Sequence, residues 1–236
     1  MPNIAILNSQ KHRGLRVHAG SSVAASHRHF VQIVVREFSI VAVRCPILFS
    51  KEADTGQFFV GAMLGFEEGE NLFLNDPDGY RPLNLQRGPF YVSGEELAID
   101  IEDPRVGTEK GEPLFTEDGE PTPYTQSMLG LFRELRPGVA MTKLFIDKLM
   151  ELRLIEPIDI SLALDDGVTR HLEGLYSINQ DALRSLPDET VLDLFRRNYL
   201  QLIYLIIASL KQVPILAQRK NRGLLPSAEA LAGPAG

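Results

Sequence analysis

The chain has 236 residues, 44% of them hydrophobic and 23% charged, which is ordinary for a globular protein that buries a core of its own. Its formal net charge of −7 disfavours nucleic acid and anionic membranes as partners, since binding to either depends on Lys and Arg. A single cysteine excludes an internal disulfide and a cysteine-rich zinc site.

No stretch of the sequence is typical of a secretory signal or of a clean transmembrane span. The apolar run at residues 4–7 is too short for the core of a signal peptide, and basic residues follow it. The longest apolar run, residues 199–217, is interrupted by Gln201, Lys211 and Pro214. We therefore expect a soluble, cytoplasmic protein that is not embedded in a membrane, with export by a non-classical route as the alternative.

Residues 1–110 are predicted to form a β-rich half. Periodicity favours neither helix nor strand for RHFVQIVVREFSIVAVRCP at 28–46, and we predict a helix that ends near Val43 and a strand after Pro46. Gly61 and Gly65, four residues apart, indicate close packing or a bulge. Turn residues bound each of the other predicted strands, which are FFVGAML (58–64), NLFLN (71–75), FYVS (90–93) and LAIDI (97–101).

Residues 122–217 are predicted to form an α-rich half. Thr122 can cap a helix whose first residue is Pro123, and RPG at 136–138 should break the chain before a second helix. The alternating pattern at 158–164, followed by an Asp-Gly turn, predicts a β-hairpin that returns through residues 168–178.

Two further helices are predicted after the hairpin. NQDALRSL at 179–186 is expected to form one or two helical turns. A long helix should run from Pro187 to about Val213, where Pro214 stops it, and its apolar surface predicts a central buried helix. Residues 218–236 show no pattern and are expected to be a mobile tail. The predicted fold is thus α+β, a single domain over residues 1–217.

The acidic stretch GEPLFTEDGEPTPY at 111–124 joins the two halves. Such a stretch could be a metal loop, a substrate ledge, a docking surface or a plain connector. Its prolines and glycines fix turns and keep carboxylates outward, so we predict a solvated loop or a recognition surface for a basic partner, not a metal site. The residues of this acidic surface are Glu112, Glu117, Asp118 and Glu120.

Other candidate sites are weaker. His27 and His29 could bind a metal from one face of a strand, but no third ligand follows at a diagnostic spacing. Asp100, Glu102 and Asp103 could supply two calcium ligands, although the EF-hand pattern is missing. The apolar flanks of the lone cysteine predict a buried, inert thiol. Common nucleotide-binding and hydrolase motifs are absent, and no cofactor is predicted.

The sequence resembles the SapC family of bacterial proteins from about Asn8 to Arg219. The family is named for a gene associated with a bacterial surface layer. Similar members are often encoded beside TonB-dependent receptors and tryptophan-halogenase-like proteins, which implies a part in nutrient uptake or processing. The resemblance supplies no catalytic or binding residues. It rests on four segments in order, CPILFSKEADTGQFFVGAMLGFEEGENLFL, GEPLFTEDGEPTPY, IEPIDISLALDDGVTRHLEGLYSINQDAL and YLQLIYLIIASL.

Two functions follow as hypotheses. The first is a non-catalytic accessory or interaction protein of the cell envelope or surface layer, with a protein partner. The alternative is an enzyme or small-molecule-binding protein of an uptake cluster, with a site between the halves. A deep polar pocket that joins His27 or His29 to Asp100 or Glu102 would favour the alternative, and a flat surface would favour the first.

Overall fold

The computed structural model describes residues 3–18, 27–74, 76 and 79–224. It has the expected α+β architecture, with most strands in the first half and most helices in the second. The described strands are β1 (Ile4–Ile6), β2 (Arg16–Val17), β3 (Phe30–Gln32), β4 (Ile47–Lys51), β5 (Phe58–Met63), β6 (Phe90–Ser93), β7 (Glu96–Asp100), β8 (Val106–Gly107), β9 (Glu112–Pro113), β10 (Ile155–Pro157), β11 (Ile160–Ala163), β12 (Thr169–Leu172) and β13 (Tyr176–Ile178). The described helices are α1 (Phe38–Val41), α2 (Leu83–Gln86), α3 (Pro123–Glu151), α4 (Gln180–Arg184), α5 (Asp188–Arg196), α6 (Tyr199–Ser209) and α7 (Gln212–Leu224), and a 3-10 turn, Val35–Glu37, precedes α1.

An antiparallel five-stranded sheet, in the order β10-β13-β4-β5-β3, carries the larger core cluster. Two small sheets, β1-β7-β6 and β8-β2-β9, carry a second cluster. Helix α3 joins them, because Tyr124 and Met128 pack on the second cluster while Phe145 and Leu149 lie in the first. The β11-β12 hairpin and the short helix α4 form where the sequence predicts them.

Two predictions in the first half need correction. Residues 28–43 form strand β3, the 3-10 turn and the short helix α1, so the predicted helix is much shorter than expected. Residues 72–74 form a turn instead of a strand, because the Asn71 side chain accepts a hydrogen bond from the Phe73 amide at 2.9 Å. Residue 75 of that predicted strand lies outside the described residues.

Close packing at Gly61 is confirmed. A Cβ built on this residue would lie 2.5 Å from the ring of Phe30 on the neighbouring strand, so only glycine fits there.

Helix α3 continues through Pro137, where a break was expected. Gly138 packs directly on Val34, and the Thr142 hydroxyl accepts a hydrogen bond from the Val35 amide at 2.9 Å. The same hydroxyl donates to the Gly138 carbonyl at 2.7 Å. These contacts hold the helix against the 3-10 turn in the stretch that directly follows the proline, and they offset the backbone hydrogen bond that proline cannot make.

The predicted long C-terminal helix is three helices, α5, α6 and α7. Asn198 adopts a left-handed conformation with φ 60° and ends α5, and a turn separates α6 from α7. Only one face of α6 is buried, through Ile203, Ile206 and Ser209, while Tyr204 is 56% exposed. The predicted central buried helix is therefore buried along one face only.

The chain stays helical beyond the predicted domain end. Pro214 lies in the first turn of α7, where backbone N–H groups have no hydrogen-bond partner within the helix. Its missing N–H therefore costs no helical hydrogen bond, and the helix runs on to Leu224. Lys220 is 6% exposed, and its ammonium lies 2.9 Å from Glu70 and 3.1 Å from Glu67. The predicted tail thus starts later than residue 218, and its remainder, 225–236, lies outside the described residues.

The stretch Tyr199–Gly223 is long and apolar enough to cross a membrane, judged by length and composition alone. Within its most apolar window, 22% of the residues are buried inside the protein. One polar residue of the stretch is engaged with the sheet, since the Ser209 hydroxyl accepts a hydrogen bond from the Ile47 amide at 2.9 Å.

Candidate functional site

A cavity of about 550 Å³ opens between the two core clusters. Its walls come from segments that are far apart in sequence: the end of β2, the turn at 72–74, residues 79–89 with α2, Arg105, and the first turns of α3. A volume in the range of roughly 300–1,000 Å³ with mainly apolar walls is typical of small-molecule sites. The apolar and aromatic part of the wall is formed by Val17, Leu64, Phe73, Leu85, Tyr124 and Met128.

The charged groups of the cavity wall are basic. Arg81, Arg105 and the imidazole of His18 line it, and none of its described lining residues is Asp or Glu. The whole chain, in contrast, carries 31 acidic and 24 basic side chains. The cavity is therefore a local region of basic groups in an acidic protein.

Arg105 is held in place by Asp103. Its Nε donates to one carboxylate oxygen at 2.8 Å, and one Nη donates to the other at 2.6 Å. This two-bond pairing holds the pKa of Asp103 below its usual range, chiefly through the hydrogen bonds from Arg105. Both side chains are 15% exposed, so the guanidinium has a fixed position beside the cavity.

Tyr80 is fixed by a buried carboxylate. Glu37 is 2% exposed and accepts hydrogen bonds from the Tyr80 hydroxyl at 2.9 Å, the Leu83 amide at 2.8 Å and the Val34 amide at 2.9 Å. Burial raises the pKa of Glu37, and these three hydrogen bonds oppose that effect. Burial and the nearby Glu37 raise the pKa of Tyr80, so its hydroxyl remains protonated and donating. Glu37 thereby fastens the 79–85 wall to the core.

The turn at 72–74 is held by α7. The guanidinium of Arg219 lies 4.3 Å from the centre of the Phe73 ring, within the range of a cation–π contact. It also donates hydrogen bonds of 3.3 Å to the Leu72 carbonyl and to the Asp76 carboxylate. The C-terminal helix therefore contributes to the cavity indirectly, by holding one of its aromatic walls.

The stretch 111–124 delivers Tyr124 to the cavity. Thr122 caps α3 as predicted, with its hydroxyl accepting from the Thr125 amide at 3.3 Å and donating to the Pro113 carbonyl at 2.7 Å. The Thr125 hydroxyl donates to the carbonyl of the fully buried Leu114 at 2.7 Å. These bonds fix the first turn of α3, and burial raises the pKa of the Tyr124 hydroxyl that this turn carries.

The predicted acidic surface lies elsewhere than the cavity. Its residues are exposed, and a tight turn holds three of them, closed by the Thr116 amide donating to the Glu120 carbonyl at 2.8 Å. None of the four lines the cavity. Its role in docking a partner stays a prediction for Glu112, Glu117, Asp118 and Glu120.

The histidine and carboxylate groups considered from sequence make separate local contacts. His27 Nδ1 lies 2.9 Å from the Gly69 carbonyl, whereas Asp100 and Glu102 accept hydrogen bonds from Asn3 at 2.9 and 3.2 Å. None of these residues, nor His29, lines the cavity. Within the part of the chain that the structure describes, no group of three His, Cys, Asp or Glu side chains could hold a metal ion.

The predicted burial of the thiol is confirmed. Cys45 is 5% exposed, and burial raises the pKa of its thiol to about 12, so the reactive thiolate is scarcely formed at neutral pH.

Sequence reasoning missed the cavity residues because no local signal marks them. Arg105 and Tyr80 belong to ordinary turn-rich segments, and only the fold brings them to the same wall. The one signal that could have helped is the predicted cap at Thr122, which fixes where Tyr124 must lie on its helix.

A family model covers all four of the segments that carry the resemblance. The family model described as SapC matches residues 7–216, which is most of the chain. No curated protein and no solved structure matches it. The matched range includes all of the described residues that line the cavity. Arg219, which does not line the cavity but contacts Phe73, lies outside this range. The chain belongs to the SapC family.

Proposed function

We propose that this protein is a non-catalytic accessory protein that binds a small molecule in the cavity between its two core clusters. The observation that carries the proposal is the cavity itself, whose volume of about 550 Å³ and mixed apolar and polar wall suit a ligand with an apolar body and a few polar groups. Fixed walls favour binding, because less conformational freedom is lost when the ligand enters.

The nature of the wall residues favours binding over covalent catalysis. The described lining residues include no Ser, Thr, Cys, Lys, Asp or Glu, so the commonest nucleophiles are missing from this set, and burial raises the pKa of its two tyrosines, Tyr80 and Tyr124. The nearby carboxylates serve as structural partners, Glu37 for Tyr80 and Asp103 for Arg105. Their hydrogen bonds position the wall.

A link to the cell envelope is the cellular setting that we propose for this binding. It rests on the resemblance to a family associated with a surface layer and with TonB-dependent uptake. The exposed acidic surface then serves as the docking site for a basic protein partner, through attraction that salt screens. Replacement of Glu117, Asp118 and Glu120 by Lys should abolish salt-sensitive capture of such a partner while leaving the melting temperature unchanged.

The experiment that tests ligand binding is native mass spectrometry of the protein purified from its own host. The wild type should carry a bound small molecule that is released on denaturation. Leu85→Trp, which places a larger side chain in the cavity wall, should lose that mass. Leu192→Trp, at an exposed position on α5, is the matched control and should keep it. Absence of a ligand from the wild type, or equal binding by Leu85→Trp, would contradict the proposal.

A further inference from the structure

We infer that the ligand carries an anionic group on an aromatic or apolar body, and that Arg105 is the residue that binds the anion. This inference rests on the proposed function, since it names the class of molecule that the same cavity takes. Three features of the wall support it: the sign of its charged groups, the donors of Arg105 that no described residue engages, and the aromatic residues of the lining.

The charged lining residues disfavour a cationic ligand. Two arginines and a histidine line the cavity, and its described lining contains no carboxylate that could pair with an ammonium group. Nearby carboxylates are engaged, since Asp103 binds Arg105, Asp76 binds Arg219 and Glu37 accepts three hydrogen bonds. An anion entering this space meets opposite charge at Arg81 and hydrogen-bond donors at Arg105, whose own charge Asp103 balances.

The donors that Arg105 retains suit a carboxylate or a phosphate. Asp103 occupies Nε and one hydrogen of Nη2, and among the described residues no further hydrogen bond engages Nη1 or the second hydrogen of Nη2. Nη1 lies beside Gly88, where a Cβ would stand 3.7 Å from it in ordinary van der Waals contact. The planar fork of a guanidinium matches two oxygens of one anion, and its pairing with Asp103 fixes the fork in advance.

The aromatic surface suits the body of the ligand. Phe73 is held on one side by Arg219, and Tyr124 packs edge-on against Phe90 with ring centres 5.9 Å apart. Leu85 and Met128 complete an apolar wall around these rings. A flat apolar group of one or two rings fits such a space, whereas a small inorganic anion would leave most of the apolar wall uncovered.

The test uses three probes of one shape, 2-naphthoate, 2-naphthyl phosphate and the neutral 2-naphthamide, in ligand-observed NMR titrations of the full chain. We expect one or both anions to bind about tenfold to a hundredfold more tightly than the amide, the gain typical of a charge-assisted hydrogen bond. The preferred anion distinguishes a carboxylate ligand from a phosphate ligand. Arg105→Met should remove the preference, and Arg184→Met, at an exposed salt bridge on α4, should retain it.

If the probes bind, either of two results would overturn the inference. One is equal or tighter binding of the neutral amide or of the cation 2-naphthylmethylammonium by the wild type, a measurement that needs no variant. The other is an anion preference that survives in a folded Arg105→Met protein. If none of the probes binds while native mass spectrometry finds a ligand, the ligand class is wrong and the proposed function stands. If neither experiment finds binding, both are wrong.

Discussion

Two glycines of α3 should respond in opposite ways to the same substitution. A Cβ built on Gly138 would lie 2.7 Å from a methyl carbon of Val34 and 2.9 Å from its Cβ, distances that side chains do not tolerate without movement. A Cβ on Gly130, in the same helix, would meet nothing within 4 Å. Gly138→Ala therefore tests the contact that carries α3 past Pro137, and Gly130→Ala is its matched control.

The expected changes in unfolding free energy follow from helix propensity and packing. Alanine is favoured over glycine inside a helix by about 1 kcal/mol, and Gly130→Ala should gain most of that in unfolding free energy. Gly138→Ala gains the same propensity, but overpacking against Val34 costs typically about 1–3 kcal/mol. The net change at Gly138 should therefore be a loss, and the two variants should differ by about 1–3 kcal/mol.

Urea unfolding followed by circular dichroism measures both changes, with the midpoint read at an unchanged slope. If Gly138→Ala proves as stable as Gly130→Ala, α3 does not depend on close approach to Val34, and the explanation for its continuity through Pro137 is wrong.

Three further predictions concern buried polar groups. Because burial raises the pKa of Glu37 above its ordinary 4.5, the stability it contributes is fully present below that value and is lost as the pH rises through the folded pKa. Urea titrations should show the stability difference between the wild type and Glu37→Gln shrinking as the pH rises above 4.5; a growing difference would refute the burial effect. Ser209→Ala should cost about 1–3 kcal/mol in the same assay, because the buried Ile47 amide loses its acceptor; no loss would mean that the bond is dispensable. A chain cut after Arg219, which lacks the last turn of α7 and its buried lysine, should melt a few degrees below a chain cut after Leu224; equal melting temperatures would show that this turn adds no stability.

The features that sequence predicts well are those decided by neighbouring residues. The cap at Thr122, the proline that follows it and the hairpin depend on backbone groups within a few positions, and all three form. The hairpin turn has three residues, 165–167, where the Asp-Gly pair predicts two, because the Leu164 amide donates to the Val168 carbonyl and only Gly167 has a positive φ. The α+β class follows in the same way, because local periodicity separates the two halves.

The wrong predictions depend on distant contacts. The expected break at Pro137 is overcome by a hydrogen bond between Thr142 and Val35, 107 positions apart in sequence. The helix at 218–224 is held by Lys220 packing beside Glu67 and Glu70, which no local pattern reveals. Contacts between residues this far apart in sequence form only in the folded chain, so local sequence patterns do not predict them.

The cavity escaped prediction for the same reason. Its wall joins residues from Val17 to Met128, and each of them alone has an ordinary sequence context. The charges of the acidic surface lie close together in sequence and can be recognised there, whereas the basic groups of the cavity come together only in space. The sequence of the stretch 111–124 therefore indicates its carboxylates, although hydrogen bonds of the same stretch also position Tyr124.

Ligand binding is tested most directly by a crystal structure of the protein purified from its native host without added ligand. We expect density for a small molecule in the cavity of about 550 Å³, in contact with Tyr124 and with the guanidinium of Arg105. A cavity that holds only water, or that has closed by movement of its own walls, would contradict the proposal.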